Sequence, residues 1–250
     1  MILPDSLLSS PIAHRGLHNL DQGIPENSRA AIRAAIEAGY PIEIDLQMSR
    51  DKQAIVFHDY DMRRLTGQSG PVQMRSAQDL AEIPILGGDE TVPTLPEVLD
   101  LVAGKVPLLI ELKDQDGGLG TAVGALETAT AQALEGYSGD VALMSFNPHM
   151  VAELARLAPD RPRGLTTCGF LREDWLAIKQ ERLDELRSLP DIDRVGACFI
   201  SHNVDDLGSR HVAKRHEAGF PILCWTVRSA QQEAEARKVA DNVTFEGYTA

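Results

Sequence analysis

The sequence predicts an α/β protein folded as a closed (β/α)8 barrel, and two observations carry this prediction. Short apolar runs typical of strands alternate with longer amphipathic segments along nearly the whole chain of 250 residues. Repeated strand–helix units of this kind favour a parallel sheet. Eight strand segments are present, seven of them followed by a helical segment. Eight such units in about 250 residues is the size of a closed barrel.

The elements follow one another in a regular order. The predicted strands cover residues 11–14, 42–48, 106–113, 141–146, 163–167, 197–202, 221–227 and 243–245. The predicted helices cover residues 27–38, 95–102, 121–134, 150–157, 173–187, 207–218 and 230–239. Asn27 is suited to cap the first helix, and Gly39 stands where that helix would stop. Residues 54–58 are strand-like and are taken as an extension of the second strand.

Two segments depart from the alternation. Residues 60–93 are rich in turn signals and predict an insertion subdomain after the second strand, within a single domain of residues 1–250. Only residues 246–250 follow the last strand, so the eighth helix is expected to be short or absent. Residues 1–10 or a second subunit, giving a homo-oligomer, would then cover that flank. An open doubly wound sheet is the structural alternative, but residues 14–17 lack its glycine-rich first turn.

The charge balance bears on the partners of the protein. The chain has 24 basic and 37 acidic residues and a formal net charge of −13. A surface this acidic repels nucleic acid and anionic membranes, so neither is an expected partner. A phosphate-bearing substrate would therefore need a local patch of positive charge, supplied by side chains or a metal.

Cysteine usage and the N-terminus bear on the cellular location. The three cysteines, Cys168, Cys198 and Cys224, form no CxxC pair, which favours reduced thiols in a reducing compartment. Residues 1–6 do not resemble a signal peptide, and the apolar runs are too short to span a bilayer. We therefore expect a cytoplasmic protein without stable membrane insertion.

Charged residues gather at the ends of several predicted strands, which form the catalytic face of a barrel. Glu43 and Asp45 alternate with an apolar residue in the second strand, and Glu111 and Lys113 do the same in the third. Residues two apart in a strand point to the same face. Carboxylates held together repel, and a hard divalent cation removes that conflict. The pattern predicts a site for Mg²⁺ or Ca²⁺ at Glu43, Asp45 and Glu111.

These residues also have simpler interpretations. A Glu-x-Asp pair is often a solvated strand end, and Lys113 could only neutralise Glu111. A histidine at a strand end, such as His14 or His58, is often structural. What favours a catalytic site is convergence, because four strand segments place ionisable residues at one end of an otherwise apolar pattern.

Ordered motifs over nearly the whole chain resemble those of the glycerophosphodiester phosphodiesterases. The motifs are Ile12-Ala13-His14-Arg15-Gly16, Pro25-Glu26-Asn27-Ser28, Glu43-Ile44-Asp45, Phe57-His58-Asp59, Ile110-Glu111-Leu112-Lys113, Ser145-Phe146-Asn147 and Trp225-Thr226-Val227. Residues 64–72 and 92–99 resemble the start and the end of the insertion that characterises this family. Motifs in this order and at these separations are highly specific.

The resemblance implies a TIM barrel that hydrolyses glycerophosphodiesters to glycerol 3-phosphate and an alcohol, with one divalent cation. It implies that His14 and His58 are the general acid and base. It implies further that Glu43, Asp45 and Glu111 hold the metal, and that Arg15 and Lys113 contact the phosphate. By the same resemblance, Trp225 forms a wall of the glycerol pocket and Asn27 supports the site as well as capping its helix.

Two features depart from the family pattern. Glu246 stands where the family commonly has an aspartate near the end of the last strand, and the last helix is missing. Neither departure touches the predicted metal ligands or the two histidines. Both concern the local structure around the eighth strand and the oligomeric state.

Other functions remain open at this stage. A related phosphodiesterase acting on lysophospholipids or phosphoinositol diesters could use the same residues, with Ile83, Ile85 and Leu86 of the insertion as a hydrophobic wall. A catalytically silent barrel could bind phosphorylated ligands. A barrel lyase or aldolase could use Lys113 to form a Schiff base, although paired carboxylates and histidines argue against it.

Overall fold

The computed structural model describes all 250 residues and contains one closed barrel of eight parallel strands. The strands are β1 (Ile12–Ala13), β2 (Ile42–Met48), β3 (Ala54–Val56), β4 (Leu108–Leu112), β5 (Val141–Ser145), β6 (Arg163–Thr167), β7 (Phe199–Asn203), β8 (Ile222–Val227) and β9 (Asn242–Phe245). Their order in the sheet is β1-β9-β8-β7-β6-β5-β4-β2, and pairing of β1 with β2 closes the barrel. The eight parallel strands confirm the predicted fold class. The ninth strand, β3, turns back and pairs antiparallel with β2, so residues 54–58 form a separate strand and not the expected extension of β2.

The helices lie outside the barrel, in alternation with its strands. They are α1 (Arg29–Ala38), α2 (Arg63–Thr66), α3 (Ala77–Ala81), α4 (Leu95–Val102), α5 (Ala125–Ala133), α6 (Pro148–Leu157), α7 (Gln180–Arg187), α8 (Arg210–Glu217) and α9 (Ala230–Ala236). The main core of 38 buried residues lies between these helices and the outward faces of the strands. None of the helices combines the length and the apolar character needed to cross a membrane.

The interior of the barrel is apolar at the amino ends of the strands. Phe199 of β7 fills it together with Leu109 of β4 and Leu223 of β8. Gly164 leaves room for the aromatic ring, because a Cβ atom there would lie 2.6 Å from the side chain of Phe199. This packed layer forms the floor on which the polar residues at the carboxyl ends of the strands stand.

Residues 1–10 close the bottom of the barrel and do not cover the flank after the last strand. Leu3 and Leu7 are buried against the same interior cluster as Phe199. The flank beside β9 is covered instead by the residues that follow it. Tyr248 packs edge-on against Phe245, and the hydroxyl of Tyr40 donates to the carbonyl of Ala250 at 2.6 Å. The fold therefore requires no second subunit at this place.

The segment between β3 and α4 contains a small apolar cluster of its own. Two short helices, α2 and α3, surround nine buried residues that include Phe57, Met62 and Leu80. Ile83 and Ile85 are buried inside this cluster, so they do not form the hydrophobic wall expected from the sequence. Most of residues 58–64, which follow β3, line a cavity at the barrel mouth.

Two helices begin at least four residues later than the sequence pattern suggests. The helix expected over 173–187 begins only at Gln180, because Phe170, Trp175 and Ile178 pack into a cluster at the barrel mouth instead. The helix expected over 121–134 begins at Ala125, after Gly124 with a φ of 122°. In both cases the loop before the helix faces the open end of the barrel.

Candidate active site

Three buried carboxylates stand together at the carboxyl ends of two neighbouring strands. Asp45 of β2 lies opposite Glu111 of β4 in the sheet register, and Glu43 precedes Asp45 on the same inward face. One oxygen atom of each of the three residues lies within 4.8 Å of the other two. The exposed fractions are only 2%, 1% and 5% for Glu43, Asp45 and Glu111. The strand pairing therefore assembles the carboxylate cluster that the sequence predicts.

The three buried carboxylates repel one another, and Lys113 neutralises part of their charge. Burial raises the pKa of Glu43 well above its usual value, and the charges of Asp45 and Glu111 add to the rise. Lys113 inserts its ammonium group between two of the carboxylates, 2.7 Å from Asp45 Oδ1 and in contact with Glu111 Oε1. Burial lowers the pKa of Lys113, but the two carboxylates outweigh it and raise this pKa overall. Lys113 thus offsets part, and only part, of the negative charge.

The donor set of this cluster fits a hard divalent cation. Every donor is a carboxylate oxygen, which is the ligand type that Mg²⁺ and Ca²⁺ prefer. Burial and the two neighbouring carboxylates raise the pKa of Glu43 although Lys113 and Arg15 act in the opposite direction. Three buried carboxylates face two cationic side chains, Lys113 and Arg15, and a bound divalent ion would complete the charge balance.

Two histidines face the cavity beside the carboxylates, and a carboxylate holds each of them. His14 follows β1, and its Nδ1 lies 2.6 Å from Glu246 Oε2. His58 follows β3, and its Nδ1 lies 2.7 Å from Asp59 Oδ1. With Nδ1 as the donor to the carboxylate, each ring presents an unprotonated Nε2 when neutral. Both histidines line the same cavity as Glu43, Asp45 and Glu111.

The two histidines differ in their surroundings. Burial, the largest influence, lowers the pKa of His14 to about 4 although the hydrogen bond to Glu246 raises it. The same hydrogen bond holds the pKa of Glu246 well below its usual value. The side chain of His58 is about one-third exposed, at 32%. His14 is therefore a neutral ring in a closed environment, whereas His58 stands at the edge of the open mouth.

Arg15 occupies a special backbone position at the first strand end. Its φ of 55° turns its backbone N–H toward Glu43, where it donates to Oε2 at 3.0 Å. The guanidinium donates to Glu26 at 2.6 Å and its Nε lies 3.2 Å from Asp45 Oδ2. Gly16 follows with a φ of 80°, and a Cβ atom there would lie 2.8 Å from the Cβ of Ala31. The turn therefore needs glycine and fixes Arg15 beside the carboxylates.

Ion pairs connect Arg15 to the loop that carries His58. Arg64, from α2 in the inserted segment, donates to Glu26 at 2.8 Å. Its Nε also donates to Asp59 Oδ2 at 2.7 Å, and Asp59 holds His58. The inserted segment thus helps to position one of the two histidines.

Asn27 supports the carboxylates and does not cap α1. Its side-chain amide donates to Asp45 Oδ2 at 2.9 Å, and its Oδ1 accepts from the backbone N–H of Asp45 at 3.3 Å. The cap is Ser28, whose side chain accepts from the backbone N–H of Ala31. The expectation that Asn27 caps the helix was wrong, because its side-chain amide forms hydrogen bonds with Asp45 instead.

The barrel mouth holds two cavities that share His58, Glu111, Lys113 and Phe146. The smaller has a volume of about 220 Å³ and contains the carboxylates, His14 and Arg15. Trp225 also lines it, with its indole N–H donating to the carbonyl of Ser201 at 3.0 Å. All eight site residues predicted from the sequence therefore lie around this smaller cavity.

The larger cavity has a volume of about 730 Å³ and an aromatic wall. Tyr60, Leu119, Phe146 and Trp175 line it. The rings of Phe146 and Trp175 are 5.3 Å apart, and Phe146 also contacts Trp225 at 5.6 Å between ring centroids. Phe146 and Trp175 come from the loops after β5 and β6, Leu119 comes from the loop after β4, and Tyr60 comes from the inserted segment.

The sequence reasoning missed several residues that position this site. Asp59 and Glu246 hold the histidines, and Glu26 and Arg64 link the loops. Asp59 and Glu26 lie within two of the motifs that resemble the family, and this position was the signal that could have identified them. The expectation that the departure at Glu246 touches neither histidine was wrong, because Glu246 Oε2 lies 2.6 Å from His14 Nδ1 although 232 residues separate the two in sequence.

Comparisons with known proteins agree with this geometry. The model of the "Glycerophosphoryl diester phosphodiesterase family" matches residues 14–243. A glycerophosphodiester phosphodiesterase of Caldanaerobacter subterraneus is 31% identical over 181 residues, which are 68% of this chain and 72% of that protein. A glycerophosphodiester phosphodiesterase of Bacillus subtilis is 28% identical over 182 residues, which are 65% of this chain and 60% of that protein.

A solved structure shares the fold over almost the whole length. It is a phosphodiesterase of Oleispira antarctica, solved in complex with the product sn-glycerol-3-phosphate. The TM-score is 0.77 with 22% sequence identity, and the match covers 97% of this chain and 93% of that chain.

Proposed function

The chain belongs to the glycerophosphoryl diester phosphodiesterase family, and from this premise we propose that it hydrolyses glycerophosphodiesters to sn-glycerol 3-phosphate and an alcohol. The reaction depends on one divalent cation, Mg²⁺ or Ca²⁺. The observation that carries the proposal is a single cavity lined by both carboxylate-held histidines and by Glu43, Asp45 and Glu111. Relatives with the same named activity support it.

The charged residues of the cavity counter the charge of the substrate. A divalent cation held by Glu43, Asp45 and Glu111 would supply Lewis-acid stabilisation of the phosphodiester oxygens. Arg15 and Lys113 add two fixed positive charges beside this position. Together with the divalent cation, they would supply the local positive charge that a protein with a net charge of −13 needs to bind an anionic substrate. Because these groups are already in place, they stabilise the charge of the transition state without reorganisation.

We assign the role of general base to His14 and that of general acid to His58. Burial keeps His14 neutral, and Glu246 engages its Nδ1, which leaves Nε2 free to accept a proton from the nucleophile. The nucleophile is water or the glycerol hydroxyl of the substrate itself. His58 lines both cavities, so it lies between the phosphate position and the larger chamber. It is therefore placed to protonate the oxygen of the leaving alcohol.

The test is release of glycerol 3-phosphate from glycerophosphocholine. We expect release with Mg²⁺ or Ca²⁺ and none in EDTA. His14→Ala and His58→Ala should each lower kcat by roughly 10²–10⁴, the usual contribution of general acid–base catalysis. His211→Ala is the matched control, since His211 lies on α8 and lines neither of the two cavities. Wild-type turnover by either active-site variant would contradict the assignment of that histidine.

A second substrate class is favoured by the larger cavity. Its aromatic wall of Phe146 and Trp175 offers apolar surface that glycerophosphocholine does not require. A lysophospholipid presents the same phosphodiester together with a hydrocarbon chain. The same assay with lysophosphatidylcholine distinguishes the two: faster turnover of the lysolipid would make it the preferred substrate.

The cellular setting is proposed on separate grounds. The cysteines Cys168, Cys198 and Cys224 are all free thiols, as in proteins of reducing compartments. We place the protein in the cytoplasm for this reason. There it would act on water-soluble products of lipid breakdown.

A further inference from the structure

A second group of metal-type ligands lies on the far side of His14. His14 Nδ1, His18 Nε2 and Glu246 Oε2 all lie within 4.8 Å of one another. Glu246 Oε2 is 2.6 Å from His14 Nδ1 and 3.5 Å from His18 Nε2. None of these atoms belongs to the carboxylate cluster of Glu43, Asp45 and Glu111.

His18 has no partner of its own in this arrangement. Its Nε2 is inaccessible to solvent and makes no hydrogen bond, although it points at the carboxylate of Glu246. A buried ring nitrogen without a partner costs free energy, so such atoms call for an explanation. Arg228 donates to the other oxygen of Glu246, Oε1, at 2.8 Å. This contact fixes the carboxylate and leaves Oε2 directed at the two histidines.

The cluster can be reached without passing through the substrate cavity. His18 and Glu246 line a separate cavity of about 600 Å³ between the first strand–helix loop and the residues after β9. His14 lies on the other side, in the wall of the smaller active-site cavity. An ion in this place would therefore sit in the partition between the two cavities, with room for water on the outer side.

The donor atoms select a different metal from the one proposed for catalysis. Two imidazole nitrogens and one carboxylate oxygen suit Zn²⁺ and its neighbours, whereas three carboxylates suit Mg²⁺ or Ca²⁺. Zinc–ligand distances near 2.0–2.1 Å place tetrahedral ligand atoms roughly 3.3 Å apart. The spacing between His18 and Glu246 is already 3.5 Å, and that between His14 and Glu246 must open from 2.6 Å.

We propose that His14, His18 and Glu246 form a binding site for Zn²⁺, or a similar transition-metal ion, that inhibits the enzyme. Binding puts the metal on His14 Nδ1, and the proton displaced from this atom is taken up at Nε2 by exchange with solvent; no oxidation or reduction takes place. The metal also removes Glu246 as the hydrogen-bond acceptor that orients His14. With the metal on Nδ1 and the proton on Nε2, the ring has no lone pair left to accept a proton from the nucleophile. The inhibition rests on the proposed role of His14, whereas the binding does not.

The experiment measures binding and activity separately. Zn²⁺ is titrated by calorimetry into the wild type and His18→Ala, both in saturating Mg²⁺, and the half-inhibitory Zn²⁺ concentration is measured with glycerophosphocholine. We expect His18→Ala to keep its turnover in Mg²⁺ but to bind Zn²⁺ at least roughly tenfold more weakly, since even an outer-shell partner is worth 10–100-fold. Its half-inhibitory concentration should rise by the same factor.

Two further variants complete the test. His211→Ala controls for loss of a histidine elsewhere, and His18→Asn replaces His18→Ala if the alanine variant does not fold. Equal Zn²⁺ affinity in the wild type and the His18 variant would overturn the site. Binding that depends on His18 without loss of activity would support the site and contradict the role of His14 in the proposed function.

Discussion

At the scale of single residues, the chemistry of the site depends on which nitrogen of each histidine faces the cavity. Glu246 and Asp59 each take the Nδ1 side of a ring, although they come from opposite ends of the chain. A carboxylate at this place fixes the tautomer and the orientation of the ring. The two histidines thus share the same Nδ1–carboxylate contact and differ in burial. This difference in burial is the basis for the different roles proposed for them.

The burial of His14 predicts a dependence of stability on pH. Its pKa is about 4 in the folded protein and about 6.5 when unfolded, so below pH 6.5 the unfolded chain binds the proton first. Stability from this residue is fully present above pH 6.5 and is lost as the pH falls toward 4. Between pH 7 and 5 the loss should be about 2 kcal/mol. Urea unfolding in EDTA at the two pH values measures it.

His14→Asn is the matched variant for this measurement. It lacks the titrating ring, so its free energy of unfolding should fall less between pH 7 and 5 than that of the wild type. The lowered pKa of Glu246 changes the stability only below the unfolded pKa of about 4.5, which lies outside the interval from pH 7 to 5. An equal loss in both proteins would show that His14 is not the group responsible.

At the scale of elements, parallel pairing explains why residues far apart in sequence converge. The register of β2 on β4 sets Asp45 against Glu111, and the i, i+2 spacing adds Glu43 to the same face. These contacts follow from strand geometry, which is why the sequence could predict them. The loop before α7 is different, because its Phe170 and Trp175 are held by contacts with Phe146.

The N-terminal segment is an element whose role can be measured. Leu7 is fully buried under the barrel interior, in contact with the cluster around Phe199. Leu7→Ala should lower the free energy of unfolding by about 2–5 kcal/mol, because a leucine-sized cavity remains. Ile2→Ala is the control, since Ile2 is 83% exposed. Chemical denaturation of the three proteins would show equal stabilities if the segment does not close the barrel.

At the scale of the whole molecule, a strongly acidic protein sets three cationic side chains against carboxylates at the barrel mouth. The net charge is −13, yet Arg15, Lys113 and Arg64 all lie at the barrel mouth among paired carboxylates. The buried acidic cluster remains short of positive charge. A bound divalent cation would therefore stabilise the folded state as well as serve the reaction.

Removal of the metal should lower the thermal stability of the whole domain. At a metal concentration of 100 Kd, Mg²⁺ or Ca²⁺ should add about 2.7 kcal/mol relative to the protein in EDTA. Glu43→Gln loses a ligand and relieves the repulsion, so its Tm should respond much less to metal. Differential scanning calorimetry of both proteins measures the effect. A wild-type Tm that is indifferent to both metals and to EDTA would argue against the site.

The sequence by itself determined the barrel and predicted eight of the residues that line the smaller cavity, Trp225 among them only through the family resemblance. It could do so because the alternation of side chains along a strand and the order of the strand ends can be read from the sequence alone. Glu43, Asp45, Glu111 and Lys113 needed only their spacing and the parallel sheet to be placed on one face.

The tertiary structure alone decided the contacts that cross the barrel. The side chain of Asn27 binds Asp45 instead of capping α1. Glu246 lies close to both His14 and His18. Residues 1–10 close the bottom of the barrel and not the flank beside β9. These contacts depend on how the sheet closes and on which loops meet above it. Sequence spacing carries no information about either, because the free energy of such contacts comes from packing between distant segments.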